Sequence, residues 1–137
     1  MVRAFGICAI LATAACASRL PDVPSNAAIG TPARQQTPIA AANDAPPKIQ
    51  AMQFSTLDVH RGSTWSGSFV TPTNVASVEV RTNLFSIDVP RTDFGRFAFT
   101  LHVMDVPPIF IRPYRLRVIA RNSAGATDEE DLPMWIR

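Results

Sequence analysis

Hydrophobic and polar residues alternate with a period of two along much of the second half of this chain. The clearest run is "YRLRVIARN" (114–122), in which Tyr114, Leu116, Val118 and Ala120 share one face and three arginines lie on the other. Successive side chains of an extended strand point to opposite faces, so this pattern predicts a strand with one face in the core and one face in solvent. Such one-sided burial is typical of antiparallel sheets.

Six other segments contain short β-prone runs that end at turn residues. With the first run they make about seven strands: 48–56, 64–72, 75–82, 85–90, 96–106, 114–122 and 127–137. This regular spacing is typical of a two-sheet antiparallel β-sandwich, so we predict one all-β domain over residues 48–137. The predicted core residues are Trp65, Phe69, Val78, Val80, Phe97, Phe99, Leu101, Tyr114, Leu116 and Val118. Alternation also places Ala76 on the same, inward face of its strand as Val78 and Val80.

The stretch "PYRLRVIARNSAGAT" resembles strand F, the following turn and the start of strand G in immunoglobulin-like and fibronectin type III-like domains. In those families a tyrosine opens strand F, alternating aliphatic residues follow, and an A-x-N-x-x-G turn leads into the last strand. The matching residues here are Tyr114, Leu116, Val118, Ala120, Asn122 and Gly125. The resemblance implies an immunoglobulin-like β-sandwich in which the tyrosine hydroxyl bonds to the backbone at the corner. The chain lacks the paired cysteines of antibody domains, and "MDVPPIFIRP" before strand F departs from fibronectin type III domains.

The first sixteen residues have the features of an export signal. Arg3 precedes an uncharged apolar run over residues 4–15, which as a helix would be about 18 Å long and too short to span a bilayer core of about 30 Å. "TAAC", which ends at Cys16, resembles the processing box of bacterial lipoproteins, with Thr13 where leucine is usual. We predict a signal peptide over 1–16 with Cys16 as the lipidation site. Cleavage at an A-x-A site, giving a soluble exported protein, is the alternative.

The resemblance to lipoproteins implies a membrane anchor and a location in the cell envelope. Two or more acyl chains on Cys16 would make attachment effectively permanent. In lipoproteins of Gram-negative bacteria, residues such as Ala17 and Ser18 after the cysteine favour the outer membrane. We therefore predict an exported, lipid-anchored protein of the outer membrane or cell surface that faces the periplasm or the exterior.

Residues 17–47 have the composition of a linker. They contain six prolines, many small polar residues and no aromatic residue. Such a segment buries too little apolar surface to offset its backbone entropy, so we predict a disordered tether between the anchor and the domain.

Charge and cysteine content exclude several classes of protein. Thirteen basic and eleven acidic residues leave a net charge of +2, too small to indicate a nucleic-acid partner. Both cysteines, Cys8 and Cys16, lie in the first sixteen residues, so the domain has neither an internal disulfide nor a cysteine-based metal site.

No arrangement of residues predicts catalysis, a cofactor or a metal. His60 and His102 are predicted surface residues without a third ligand, and Ser66 does not lie in a G-x-S-x-G elbow. The acidic cluster 128–131 lacks the spacing of a calcium loop. We predict that it is solvated or guards a sheet edge, and that it pairs with arginines of the neighbouring strand, namely Arg115, Arg117 or Arg121. The chain is therefore predicted not to be an enzyme.

The remaining candidates for function are apolar residues near the predicted sheet edges. "VPPIFIRP" (106–113) carries Phe110 and Ile111 between prolines, which are confined to edges and loops of sheets, and Trp135 lies in the last strand. If exposed, these three residues form a partner contact; if covered, they cap the core.

The sequence thus predicts a non-catalytic envelope lipoprotein that displays an immunoglobulin-like module for contact with an envelope protein or a glycan. The alternative is a soluble exported carbohydrate-binding or inhibitor module that acts through loops at one end of the sandwich. Polar and aromatic residues gathered in one concavity would favour ligand binding, whereas a flat edge with an exposed Phe110 would favour strand addition to a partner.

Overall fold

The computed structural model describes residues 19–31 and 35–137, which form an all-β sandwich of two five-stranded sheets. The strands of these residues are β1 (Ala27–Ile29), β2 (Ala51–Phe54), β3 (Asp58–Val59), β4 (Thr64–Val70), β5 (Val75–Arg81), β6 (Ser86–Val89), β7 (Arg91–Asp93), β8 (Arg96–His102), β9 (Pro113–Asn122) and β10 (Thr127–Ile136). A single 3-10 turn, Pro108–Phe110, precedes β9. None of the described residues belongs to a helix long and apolar enough to cross a membrane.

The two sheets are mixed rather than purely antiparallel. The first sheet has the order β1-β2-β4-β8-β7 and the second has the order β3-β10-β9-β5-β6. β1 runs parallel to β2, and β3 runs parallel to β10, which corrects the antiparallel prediction. The physical reason is connectivity: a tight hairpin forces antiparallel pairing, but both exceptions join strands that are separated by long connections.

All seven predicted strands are present, and three more are found in the described residues. The additional strands β1, β3 and β7 have only two or three residues each. A segment this short cannot display a period of two, and β7 lies in what the sequence predicts as the turn before β8. The strand count therefore rises from about seven to ten without displacing any predicted strand.

The core between the sheets is built around aromatic rings. Trp65 stacks on Phe54 at 5.9 Å between ring centroids and meets the edge of Phe99 at 5.0 Å. Gly67 makes room for these rings, because a Cβ atom there would lie 2.6 Å from Phe99 Cε1. The core predictions are confirmed except that Leu101, near the end of β8, is only partly buried.

One predicted inward residue lies outside the core. The register between β5 and β9 shifts between Val75 and Ser77, so Ala76 is exposed and Val75 is buried instead. A bulge inserts one extra residue into a strand and reverses the alternation on one side of it. Simple alternation cannot reveal such an insertion, which explains the error at Ala76.

Parts of the segment predicted as a disordered tether make contacts with the sandwich. Residues 27–29 form β1 and pair with β2, so the first sheet begins before residue 48. Residues 35–47, here called the strap, lie across the end of the sandwich where β4 ends and β8 begins. Cys8, Cys16 and the predicted signal peptide lie outside the described residues.

Polar side chains of the sandwich hold the strap through its backbone. Asn74 and Asn122 both donate to the carbonyl of Ala45, at 2.7 and 3.0 Å. Gln50 accepts from the Ile39 amide at 2.9 Å, and Thr73 accepts from the Ala41 amide at 3.2 Å. The composition of the strap does not indicate these bonds, because they depend on side chains of the domain and not on apolar surface in the strap.

Candidate functional site

The two ends of the sandwich differ in how they are covered. The strap closes one end. At the other, here called the open end, β4 and β9 begin while β5, β8 and β10 end. The cavities that open here include one lined by arginines and one lined by apolar side chains. The open end is therefore the candidate functional site.

The arginine concavity is an open depression of about 690 Å³. It is lined by Arg81, Thr82, Asn83, Arg112, Pro113, Tyr114, Arg115 and Arg117. Four of these eight residues are arginines and none is acidic, so the lining itself is strongly positive. The volume lies in the range of small-ligand sites, about 300–1,000 Å³.

Strand register brings three of these arginines together on the outer face of the second sheet. Arg81 of β5 is directly paired with Arg117 of β9, and Arg115 lies two residues away on the same face of β9. The prediction that alternation places the arginines of β9 outside the core is confirmed. The sequence could not show that Arg81 lies beside them, because the pairing of β5 with β9 joins residues 36 positions apart.

The fourth arginine, Arg112, is positioned by the corner that leads into β9. Its guanidinium lies over the ring of Tyr114, 5.2 Å from the ring centroid. The Tyr114 hydroxyl donates to the Phe110 carbonyl at 2.9 Å, which confirms the predicted bond between the tyrosine and the backbone at this corner. This bond ties the 3-10 turn to the sheet and so fixes where Arg112 enters the concavity.

Carboxylates beyond the concavity pair with three of its arginines. Asp131 of β10 accepts from Arg117 Nε at 2.8 Å and lies 3.5 Å from Arg115, as predicted for the acidic cluster. The hydrogen bond from Arg117 lowers the pKa of Asp131, and the same bond raises the pKa of Arg117. Arg81 instead pairs with Glu79 on its own strand. Arg121, also predicted to pair with the acidic cluster, pairs with Glu79 at 2.9 Å.

The acidic cluster does not form a metal site. Its residues point to alternate faces of β10: Asp131 reaches the arginines, whereas Asp128 accepts from the Ile49 amide at 2.8 Å on the other side. His60 and His102 are exposed. Within residues 19–31 and 35–137 no three His, Cys, Asp or Glu residues are grouped so that they could hold a metal ion.

Glu79 is the one buried acidic side chain on the outer face of the second sheet within the described residues. Hydrogen bonds from the Ser86 hydroxyl (2.6 Å) and from Arg121 (2.9 Å), together with Arg81, lower the pKa of Glu79 from 4.5 to about 2. Burial raises this pKa, but the three partners outweigh it. These contacts are therefore the structural cause of the lowered pKa. The Glu79 carboxylate also anchors Arg81 at the rim of the concavity.

We expect Glu79 to make the domain sensitive to acid. Because its folded pKa lies below its unfolded value, its stabilisation is complete above about pH 4.5 and is lost as pH falls toward 2. Glu79→Gln should lower the free energy of unfolding at pH 7 by about 2 kcal/mol and flatten the loss of stability in this window. Urea unfolding at a series of pH values measures both effects.

Glu129→Gln is the matched control for this prediction. Glu129 is about half exposed and lies 3.6 Å from Arg117, so its removal should cost under about 1 kcal/mol. If the two variants had the same pH profile of unfolding, the stabilising role of Glu79 would be refuted.

The second cavity of the open end is apolar and has a volume of about 250 Å³. It lies between the sheets, and its wall includes Trp65, Phe85, Ile87 and Leu101 with the chain that follows β8. Two residues near the cavities are large, apolar and highly exposed: Met104 at 75% and Ile109 at 74%. Ile109 belongs to the proline-bounded apolar run that the sequence marks as a candidate contact, whereas Met104 lies outside that run.

The three predicted contact residues lie at this same end but are unequally exposed. Ile111 is 38% exposed, whereas Phe110 and Trp135 are half-buried. Trp135 is paired with Pro113 across β9 and β10, so all three lie near the entry of β9. Phe110 lies in the 3-10 turn and not on a flat sheet edge. The arginine concavity beside it is the kind of arrangement that favours ligand binding over strand addition.

Comparison with known proteins does not assign the chain to a family. No protein-family model matches the chain, and a search of curated proteins finds no significant match. The class that the structure defines is an all-β sandwich with two mixed sheets.

Proposed function

We propose that this chain is an exported lipoprotein whose immunoglobulin-like domain is a non-catalytic binding module. The orders of the strands support the choice of fold family. If β2, β4, β5, β6, β7, β8, β9 and β10 are lettered A, B, C, C′, D, E, F and G, these strands have the orders A-B-E-D and G-F-C-C′, with β1 added beside A and β3 added beside G. These are the strand groupings of immunoglobulin domains, and the bond from the Tyr114 hydroxyl matches their tyrosine corner.

The observation that carries the binding role is the composition of the open end. This end combines the arginine concavity, the apolar cavity and the exposed side chains of Met104 and Ile109. Exposed apolar residues are usually scattered over the surface of a small domain, whereas here they are grouped. Sites that combine apolar surface with a few placed polar groups are typical of ligand recognition. The partner that we propose is an envelope protein or glycan that contacts this end.

The pairing of β1 with β2 changes what a lipid on Cys16 would do. A flexible tether up to residue 47 would let the domain move far from the bilayer. Because β1 begins at Ala27, only ten residues lie between it and Cys16, and the chain from Cys16 to Ala27 is at most about 40 Å long when extended. A lipid anchor would therefore hold the domain close to the membrane surface.

We expect Cys16→Ala to release the protein from membranes, since it removes the proposed acylated residue. Cys8→Ala is the matched control, because Cys8 belongs to the part of the signal peptide that processing would remove. Fractionation of cells into membrane and soluble material measures the result. Retention of Cys16→Ala in membranes would refute the anchor and would leave the soluble exported module as the proposal.

The alternative function is that of a soluble exported carbohydrate-binding or inhibitor module. One observation favours it, which is the arginine concavity at one end of the sandwich.

The partner itself can be sought by affinity capture from envelope extract with residues 17–137, which retain the strap. Replacing Ile109 and Met104 by Ser should abolish capture if the open end is the contact, whereas replacing the exposed Phe94 at the strap end should not. Equal capture by both variants would overturn this assignment of the contact.

A further inference from the structure

We propose that the arginine concavity binds a ligand that carries at least two oxyanion groups, either carboxylates or phosphates. The proposal rests on the proposed binding role and names the ligand chemistry of that site. Guanidinium groups are planar, always charged and matched in geometry to carboxylate and phosphate oxygens, which makes arginine the residue of choice for such ligands.

The first support is the charge distribution around the concavity. Its lining contains four arginines and no acidic residue. The carboxylates that pair with Arg115 and Arg117 lie on β10, and the one that pairs with Arg81 lies further along β5, so they are placed to the side of the concavity rather than in it. The ion pairs orient the guanidinium groups: Arg117 contacts carboxylates through all three of its nitrogens and Arg81 through two, whereas Arg115 approaches Asp131 through one. Arg112 and Arg115 are therefore the arginines with most donors for a ligand.

The second support is the juxtaposition of like charges. Arg81 and Arg117 are direct cross-strand partners, and like charges in such positions destabilise a sheet. Glu79 and Asp131 offset this repulsion from outside the concavity. An oxyanion between the two guanidinium groups would offset it from inside, and so would bind more tightly than a neutral ligand of the same size.

The third support is the spacing of the donors. Directly paired Cβ atoms are about 5 Å apart, and residues two positions apart on a strand are about 7 Å apart. The Cβ atoms of Arg81, Arg117 and Arg115 thus form a triangle on the sheet, with Arg112 entering from the loop. Because these side chains start from separate points around the concavity, a ligand with two or three oxyanion groups can contact more of them than a ligand with one.

Calorimetric titration of the purified mature chain tests this site with two probes. Citrate presents three carboxylates and pyrophosphate presents linked phosphates, and a neutral disaccharide is the reference. Arg112→Gln and Arg115→Gln should each weaken binding of the preferred probe about five- to tenfold, and the double variant should weaken it more. Both side chains are at the surface, and thermal unfolding of each variant establishes that the domain is still folded.

Arg137→Gln is the matched control, because it removes the same charge at the open end but outside the concavity. It should change the affinity less than twofold. Preference for citrate would identify carboxylate ligands, and preference for pyrophosphate would identify phosphate ligands. The proposal is overturned if neither probe binds more tightly than the disaccharide, or if Arg137→Gln weakens binding as much as Arg115→Gln. This measurement is independent of membrane attachment, so its failure would leave the anchor and the apolar contact untouched.

Discussion

Trp65→Ala is expected to lower the free energy of unfolding by about 3–5 kcal/mol, a large part of the 5–15 kcal/mol typical of a domain. Trp65 is 1% exposed and contacts the rings of Phe54, Phe85 and Phe99. Its truncation would leave a cavity between the sheets where three aromatic neighbours lose their packing. Urea unfolding followed by circular dichroism measures the change without relying on tryptophan fluorescence.

Two further substitutions separate the causes of this loss. Trp65→Phe keeps an aromatic ring but loses the hydrogen bond from the indole Nε1 to the Thr56 carbonyl (2.9 Å). Loss of this bond should lower the free energy of unfolding by about 1–2 kcal/mol, and the smaller cavity left by the substitution should lower it further. Trp135→Ala removes the same side chain from the half-buried outer face, and it should cost clearly less than Trp65→Ala. If Trp65→Ala and Trp135→Ala were equally stable, the aromatic cluster would not be the centre of the core.

The strands of this sandwich are predictable from sequence because one-sided burial leaves a pattern. All seven predicted strands are found, and the arginines of β9 lie outside the core as alternation requires. Apart from Leu101 at the end of β8, the pattern fails at two residues. At Ala76 a bulge shifts the register, and at Ile119 an apolar residue of the outer face is buried all the same. Ile119 lies between Glu79 and Glu129 in the sheet, where long charged side chains can cover it with their stems.

The strap and the concavity are harder to predict because they depend on contacts between distant residues. Nothing in the composition of residues 35–47 indicates that Asn74 and Asn122 will satisfy the Ala45 carbonyl. Likewise, Arg81 and Arg112 are ordinary surface residues in the sequence. They become part of a site only because β5 pairs with β9 and because Tyr114 fixes the preceding turn. Local patterns therefore predict elements, whereas the candidate site follows from their register.

Gly95→Ala is expected to destabilise the domain by about 3 kcal/mol or more and to loosen the strap. Gly95 has φ +70°, a left-handed conformation that costs an L-residue about 1–2 kcal/mol. A Cβ atom there would also overlap the Thr71 carbonyl oxygen and lie 2.6 Å from Pro38 Cβ, so either the strap or the turn must move. Such overpacking adds about 1–3 kcal/mol. Urea unfolding measures the stability, and limited proteolysis at low protease concentration measures release of residues 35–47.

Gly62→Ala and Gly125→Ala isolate the part of this effect that belongs to the strap. Both glycines have positive φ, +76° and +88°, but a Cβ atom at either would meet no atom within 4 Å. Each substitution should therefore cost only the 1–2 kcal/mol of backbone strain and leave the strap resistant to protease. If Gly95→Ala matched these two variants in stability and in cleavage, the strap would not be held against the turn. The chain between Cys16 and β1 would be unchanged, because β1 pairs with β2 ahead of the strap, so the strap would then only cover this end of the sandwich without stabilising it.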